Sequence, residues 1–308
     1  MSDSPSGRQF PITDGEQRAV VVEVGAGLRS YAAGADDIVD GYRRDDVCDA
    51  ARGQLLLPWP NRIAGARYRF RGADLVLPVN EPRTGCAIHG LTRSLRWQVV
   101  DAARDAISLA LDLPPSEGYP FVLHLQVTYR LDPGGLTVRT TATNRGEQPC
   151  PYGAGAHPYL RAGGGALIDD ALLHIPADAT LDADPRGIPT GTLHPVEGSD
   201  RDFRTPRRIG ATTLDTAYTE LRADAGGITR ISLTAPAGGG ASVWMDGTHR
   251  YAMLYSGDTV AEVERRRRGL AIEPMTCAPD AFNSGAGLII LQPGEEHTGV
   301  WGISPVLA

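Results

Sequence analysis

An all-β fold, a large antiparallel β-sandwich with few short helices, is predicted by three observations. Phe121–Leu131 places apolar residues at 121, 123, 125, 127, 129 and 131, the period of two expected of a strand with one buried face. The turn Asp132-Pro133-Gly134-Gly135 then leads into Leu136–Thr143, a second and more polar strand, so the pair reads as a hairpin. Finally, 37 Gly and 23 Pro in 308 residues suit many short strands joined by turns, while sustained helical periodicity is nearly absent.

Taken in order, Ala33–Asp40 holds at most a short turn of helix. Tyr68–Leu77 reads as a hairpin turning through Gly72-Ala73-Asp74, and Leu95–Leu113 as another turning near Asp101–Asp105. Gly210–Leu221 again allows a short helical turn. Ile228–Ala235, Tyr251–Tyr255 and Glu296–Ile303 look extended, and the apolar run around Ile272 reads as the end of a buried strand. No linker, low-complexity tract or fixed-period repeat divides the chain. One sandwich domain over residues 1–308 is expected, with residues 1–17 as a poorly ordered or edge segment.

Composition narrows the partners. Apolar residues make up 42% of the chain, ample for a large core, and the formal charge is −7. An acidic balance argues against nucleic acid or an anionic membrane as the main partner. All 30 residues in the Lys+Arg count are Arg, which reads as a bias of the coding genome rather than a binding surface. Met1–Gly15 is polar and has no apolar core of a signal peptide, and no run approaches the ~20 apolar residues of a membrane-spanning helix. Cys48, Cys86, Cys150 and Cys277 are scattered without a CxxC pair, suiting neither a zinc cluster nor a disulfide framework. A cytoplasmic protein with reduced thiols, monomeric or homodimeric, is the expectation.

Five places carry candidate chemistry. Leu270-Ala271-Ile272-Glu273-Pro274 sets one carboxylate in an apolar run directly before a proline. Pro274 drives Glu273 into extended backbone, and desolvation there raises a carboxyl pKa, as a general base requires; a buried structural Glu is the competing reading. Leu57-Pro58-Trp59-Pro60-Asn61-Arg62 brackets a tryptophan with prolines, so Asn61 and Arg62 project from stiff backbone. Their donors and acceptors, beside an aromatic face, suit a polyhydroxylated ligand. His89-Gly90 stands near a strand end. In Gly153-Ala154-Gly155-Ala156-His157-Pro158-Tyr159, small residues would let a ligand approach, and an imidazole titrating near neutrality would donate a proton. Asp215 lies in Leu214-Asp215-Thr216, where an Asx turn competes with a ligand contact.

In this order, Asn61-Arg62-Ile63, His89-Gly90, His157-Pro158-Tyr159, Asp215 and Ile272-Glu273-Pro274 resemble the aldose 1-epimerase (galactose mutarotase-like) family. Pro279-Asp280-Ala281-Phe282 and the closing Leu291–Ile303 extend the resemblance over nearly the whole chain. It implies a large β-sandwich (the galactose mutarotase-like supersandwich) that interconverts the α and β anomers of a free hexose, with no metal and no cofactor. It further implies Glu273 as base and His157 as acid on opposite sides of the sugar, with Arg62, His89, Asp215 and, more loosely, Asn61 and Tyr159 binding substrate oxygens. The continuation Leu91–Trp97 and the segment Met275–Phe282 depart from galactose- and glucose-specific members, pointing to a shorter subgroup. Arg93 and Arg96 admit a sugar phosphate as alternative substrate, and a non-catalytic carbohydrate-binding protein is a further alternative. Arg265–Arg268 reads as an exposed loop or strand edge, with phosphate recognition as the alternative.

Overall fold

In the computed structural model, which describes residues 4–163 and 167–306, Leu123–Asp132 and Gly135–Asn144 pair antiparallel from Leu123↔Asn144 to Asp132↔Gly135. Leu123, Leu125, Val127, Tyr129 and Leu131 all point into the core, each worth about 1.5–3 kcal/mol relative to leaving it in water. This hairpin stands inside a nine-stranded sheet, flanked by Ala106–Leu113 on one side and Glu296–Val306 on the other. The sheet continues through Gly240–Met245 and Thr229–Thr234. Gly240–Met245 and Leu270–Met275 pack on one another, joining it to an eight-stranded sheet that includes Ala177–Ala183, Asp215–Leu221, Tyr251–Tyr255 and Leu270–Met275. The fold is the predicted antiparallel sandwich.

Gln9–Asp14 is the edge strand of a further four-stranded sheet, and packs against Ala106–Leu113 and Leu123–Asp132. The hairpin near Tyr68 turns one step earlier than expected: Phe70 pairs with Ala73, leaving Arg71 and Gly72, both at positive φ, as the turn.

Neither of the two segments that allowed at most a short helical turn contains one. The Ala33–Asp40 segment is not helical: Ala32 and Ala33 pair with Asp37 and Asp36. Within Gly210–Leu221, Asp215–Leu221 is an interior strand pairing with both Tyr251–Tyr255 and Ala177–Ala183. A sheet neighbour on each side supplies a complete ladder, which outweighs the weak local preference for helix. The one described α-helix is the single turn Ala281–Ser284.

Candidate active site

The site lies where a strand ladder is interrupted. All six residues of Leu270–Met275 are buried, and on one side Met253 of Tyr251–Tyr255 stands opposite Glu273. On the other side the partner is split: Tyr159 and Leu160 pair with Ala271 and Leu270, while Gly155 pairs with Met275. Between them His157 and Pro158 leave the ladder, and the Ile272 N–H finds the Pro158 carbonyl at 3.1 Å. His157 bonds instead to the chain behind it, donating to the Gln54 carbonyl at 3.0 Å and accepting from the Gly53 N–H at 2.9 Å. Pro274 has no N–H to leave orphaned beside this gap.

The imidazole turns back toward the strand, with His157 Nε2 3.2 Å from Glu273 Oε1. Both side chains are almost wholly buried. Glu273 Oε2 and His157 Nδ1 have no hydrogen-bond partner among the described residues. Burial raises the Glu273 carboxyl well above its ordinary range, the Asp215 charge adds to this, and Arg62 opposes it. Burial pushes His157 down to about 3, with the Arg93 and Arg52 charges assisting. The expectation of an imidazole titrating near neutrality is therefore corrected; desolvation disfavours its charged form. The acid and base candidates also do not face one another across a gap, but touch.

A second pair of segments supplies the wall. Arg62 and Ile63 pair with Ile88 and Ala87, bringing Asn61 beside His89. Both adopt left-handed backbone, at φ 53° and 62°, a conformation costing a non-glycine residue about 1–2 kcal/mol. Reciprocal bonds hold it: the His89 N–H donates to the Asn61 carbonyl at 2.8 Å, and the Asn61 N–H donates to His89 Nδ1 at 3.2 Å. His89 therefore carries its proton on Nε2, and burial holds it neutral. At Gly90 a Cβ would fall 1.9 Å from the Leu57 carbonyl oxygen, so only glycine fits. His89 meets the His157 ring edge-on at 5.4 Å between centroids.

Arg62 is clamped by Glu81 in a two-bond fork, Nε to Oε2 at 2.6 Å and Nη2 to Oε1 at 2.7 Å, and the Thr84 hydroxyl donates to the same carboxylate. Directly paired strand residues point to one face, so Asp215, Tyr255, Met253 and Glu273 share the face lining the cleft. Asp215 is open to solvent there, yet the surrounding walls desolvate it enough to raise its carboxyl, against the pull of Arg62. The cleft has a volume of about 1030 Å³ and gathers all seven predicted residues, Asn61, Arg62, His89, His157, Tyr159, Asp215 and Glu273.

Placement refines several expectations. Asn61 turns its side-chain oxygen back onto the Arg62 N–H at 2.9 Å, and Tyr159 donates its hydroxyl to the Ala50 carbonyl at 3.2 Å, so its ring, not its hydroxyl, faces His157. Gly153 and Gly155 meet Pro60, Cys277 and Met275 rather than the cleft, making their smallness a packing requirement. Arg265–Arg268 lies in the loop leading into Leu270–Met275, with Arg266 and Arg268 exposed as expected, and all four guanidinium groups are engaged. Arg265 bonds Asp40 and the Gly41 carbonyl, Arg267 bonds Asp169, Asp258 and two backbone carbonyls, and Arg266 and Arg268 cap backbone carbonyls. Sequence reasoning missed Glu81, although Glu81-Pro82 repeats the carboxylate-before-proline signal of Glu273-Pro274. It also missed Arg52, buried behind the site, for which no local signal exists. No group of three or more His, Cys, Asp or Glu among the described residues is placed to hold a metal ion.

Comparison with known proteins identifies the family. The YihR protein of Escherichia coli is 36% identical over 293 residues, covering 95% of this chain and 91% of its own. Human galactose mutarotase is 33% identical over 156 residues, covering 49% of this chain and 44% of its own. The solved structure of a GalM/aldose epimerase homologue from C. elegans superimposes with a TM-score of 0.84 at 20% identity, over 96% of this chain and 98% of that one, a likeness of fold. The family model for aldose 1-epimerase matches residues 8–304. The chain belongs to the aldose 1-epimerase family.

Proposed function

We propose that this protein is a mutarotase that interconverts the α and β anomers of a free hexose through Glu273 and His157. The observation that carries the reading is their contact at 3.2 Å on the floor of the cleft, each with a further polar atom unpartnered. Ring opening takes a proton from the C1 hydroxyl and gives one to the ring oxygen. Both oxygens are bonded to the same carbon, so the base and acid must be near neighbours, as these two groups are.

The proton count closes. The reactive pair enters as Glu273 carboxylate and His157 imidazolium. Glu273 accepts the hydroxyl proton, the O–H electron pair becomes the C1=O bond, the C1–O5 bond breaks, and O5 takes the His157 proton. Protonated Glu273 and neutral imidazole then face the open-chain aldehyde, the state that burial favours for the empty pair. Rotation about C1–C2 and the reverse transfers close the ring on the other face. Arg62, held by Glu81, and the Nε2–H of His89 are donors for sugar oxygens as charge develops, and Asp215 is an acceptor for ring hydroxyls.

Polarimetry of freshly dissolved α-D-glucose and α-D-galactose tests this. Catalysed equilibration should be lost in Glu273→Gln; equal rates for the two proteins with both sugars would reject the assignment.

One observation favours a second reading, a hexose carrying an anionic group such as a 6-phosphate. Arg62, Arg96 and Arg52 each pair with a carboxylate. The half-buried Arg93 has no carboxylate partner among the described residues, and reaches Gln54 and the Ile88 carbonyl only at 3.4 Å. It lines the cleft beside His89, where an anion would complete it. Glucose 6-phosphate should then equilibrate faster than glucose, with the advantage lost in Arg93→Gln. Equal turnover of the phosphosugar by that variant would remove the second reading and leave the first.

A further inference from the structure

The geometry points to Arg52 as a positioning residue that aligns the His157 imidazole through the ring of Tyr159. Arg52 is 1% exposed, the most deeply buried cation among the described residues. Its guanidinium is held by Asp40 at 3.1 Å and Asp49 at 2.8 Å, and Arg265 bridges the same two carboxylates at 3.1 and 3.7 Å. Two cations and two anions thus form one fixed cluster, and this is where Arg265, the first residue of the arginine run, is used.

From that cluster a stack runs to the cleft. The Arg52 guanidinium lies over the Tyr159 ring, 4.7 Å from its centroid, and the Tyr159 ring lies nearly parallel to the His157 imidazole, at 5.0 Å and 22°. The backbone reinforces the stack, because Gly53 and Gln54, directly after Arg52, make both backbone bonds to His157. Guanidinium, phenol and imidazole therefore form one continuous stack.

Alignment has a chemical consequence. The groups facing His157 are Glu273, the His89 edge and the Tyr159 face, with Arg93 and Arg52 acting through space. A fixed cation behind the ring opposes its protonation, so the imidazolium formed during turnover is a stronger acid toward a weakly basic ring oxygen. Stacked contact keeps Nε2 aimed, and small misplacements of an acid are costly.

The role rests on the mutarotase reading, but its test does not require a substrate. Nitrogen-15 NMR of histidine-labelled protein reads the His157 ring directly. In Arg52→Met, His157 should titrate at higher pH than in the native protein, and kcat should fall about tenfold with KM little changed. Tyr159→Leu, which removes the stack, should cost more in kcat than Tyr159→Phe, which keeps it. The double variant Arg52→Met/Asp49→Asn preserves the charge balance of the cluster should the single variant fail to fold. Unchanged His157 titration in the folded Arg52 variant, or equal losses in the two Tyr159 variants, would overturn the proposal. Should the native protein equilibrate no sugar, the mutarotase reading fails while the NMR titrations still decide the role of Arg52.

Discussion

Among the described residues, two histidine–carboxylate pairs are built on a buried histidine, and their carboxylates behave in opposite ways: Glu273 is buried, whereas the Asp246 side chain is 26% exposed. His249 Nδ1 lies 2.9 Å from Asp246 Oδ1, much as His157 meets Glu273 at 3.2 Å. Asp246 is surrounded by donors: the Thr248 N–H and hydroxyl reach Oδ1, and the Val300 N–H reaches Oδ2 at 2.8 Å. Those bonds outweigh burial and hold its carboxyl down to about 2. Glu273 has an oxygen with no partner, and its carboxyl is raised. Burial and hydrogen bonding together distinguish the two carboxylates. A carboxylate with donors on both oxygens is held to its charge, whereas a buried one with an oxygen left unpartnered can exchange a proton.

The sharpest way to break this contrast is to neutralise each acid in turn. Glu273→Gln should lower the rate of anomer exchange on the order of 10³-fold, within the range for loss of an acid–base group with its positioning. Its urea midpoint should stay at or above that of the native protein, because a costly buried carboxyl is gone. Asp246→Ala should do the reverse, costing about 1–3 kcal/mol by urea denaturation as the half-buried Thr248 and Val300 N–H groups and His249 lose their acceptor. Activity per folded molecule should be retained. Loss of activity at full stability in Asp246→Ala would end the distinction.

A smaller effect follows from pH. The Asp246 carboxyl is depressed in the folded protein, so its contribution is complete above the ordinary value of 3.8 and is lost as pH falls through about 2. That contribution is about 2 kcal/mol. Acid titration of stability should therefore be shallower in Asp246→Asn than in the native protein, and identical acid profiles would remove the depressed carboxyl from the account.

The sandwich and most of the cleft were legible in the sequence because both rest on local signals. Alternation over Phe121–Leu131 and the Pro133-Gly134 turn need no partner to be read, and Pro158 and Pro274 mark the two residues that meet at the interrupted ladder. Arg52 carried no such signal: its burial is produced by Asp40, Asp49 and Arg265, the last more than 200 positions away in sequence. The strand at Asp215–Leu221 was missed for the same reason, since its neighbours on both sides come from distant segments. Proton affinities lay further out of reach. A histidine read as titrating near neutrality is held low by burial, with the Arg93 and Arg52 charges assisting, and neither arginine is its sequence neighbour.

The finest prediction sharpens the comparison within the cleft itself. In the proposed mechanism Glu273 and His157 share one exchangeable proton and titrate as a pair. Activity should therefore fall at low pH when His157 takes a second proton, and fall at higher pH when the raised Glu273 carboxyl loses the shared one. Asp215 is one cause of that rise. Asp215→Asn removes a negative charge from beside Glu273, which eases ionisation, so the upper limb of kcat/KM should move to lower pH. The limb is read with a substrate whose own ionisation lies outside the range. Movement to higher pH would mean that Asp215 does not act on Glu273 through its charge, and that Glu273 owes its raised affinity for a proton to burial and its unpartnered oxygen alone.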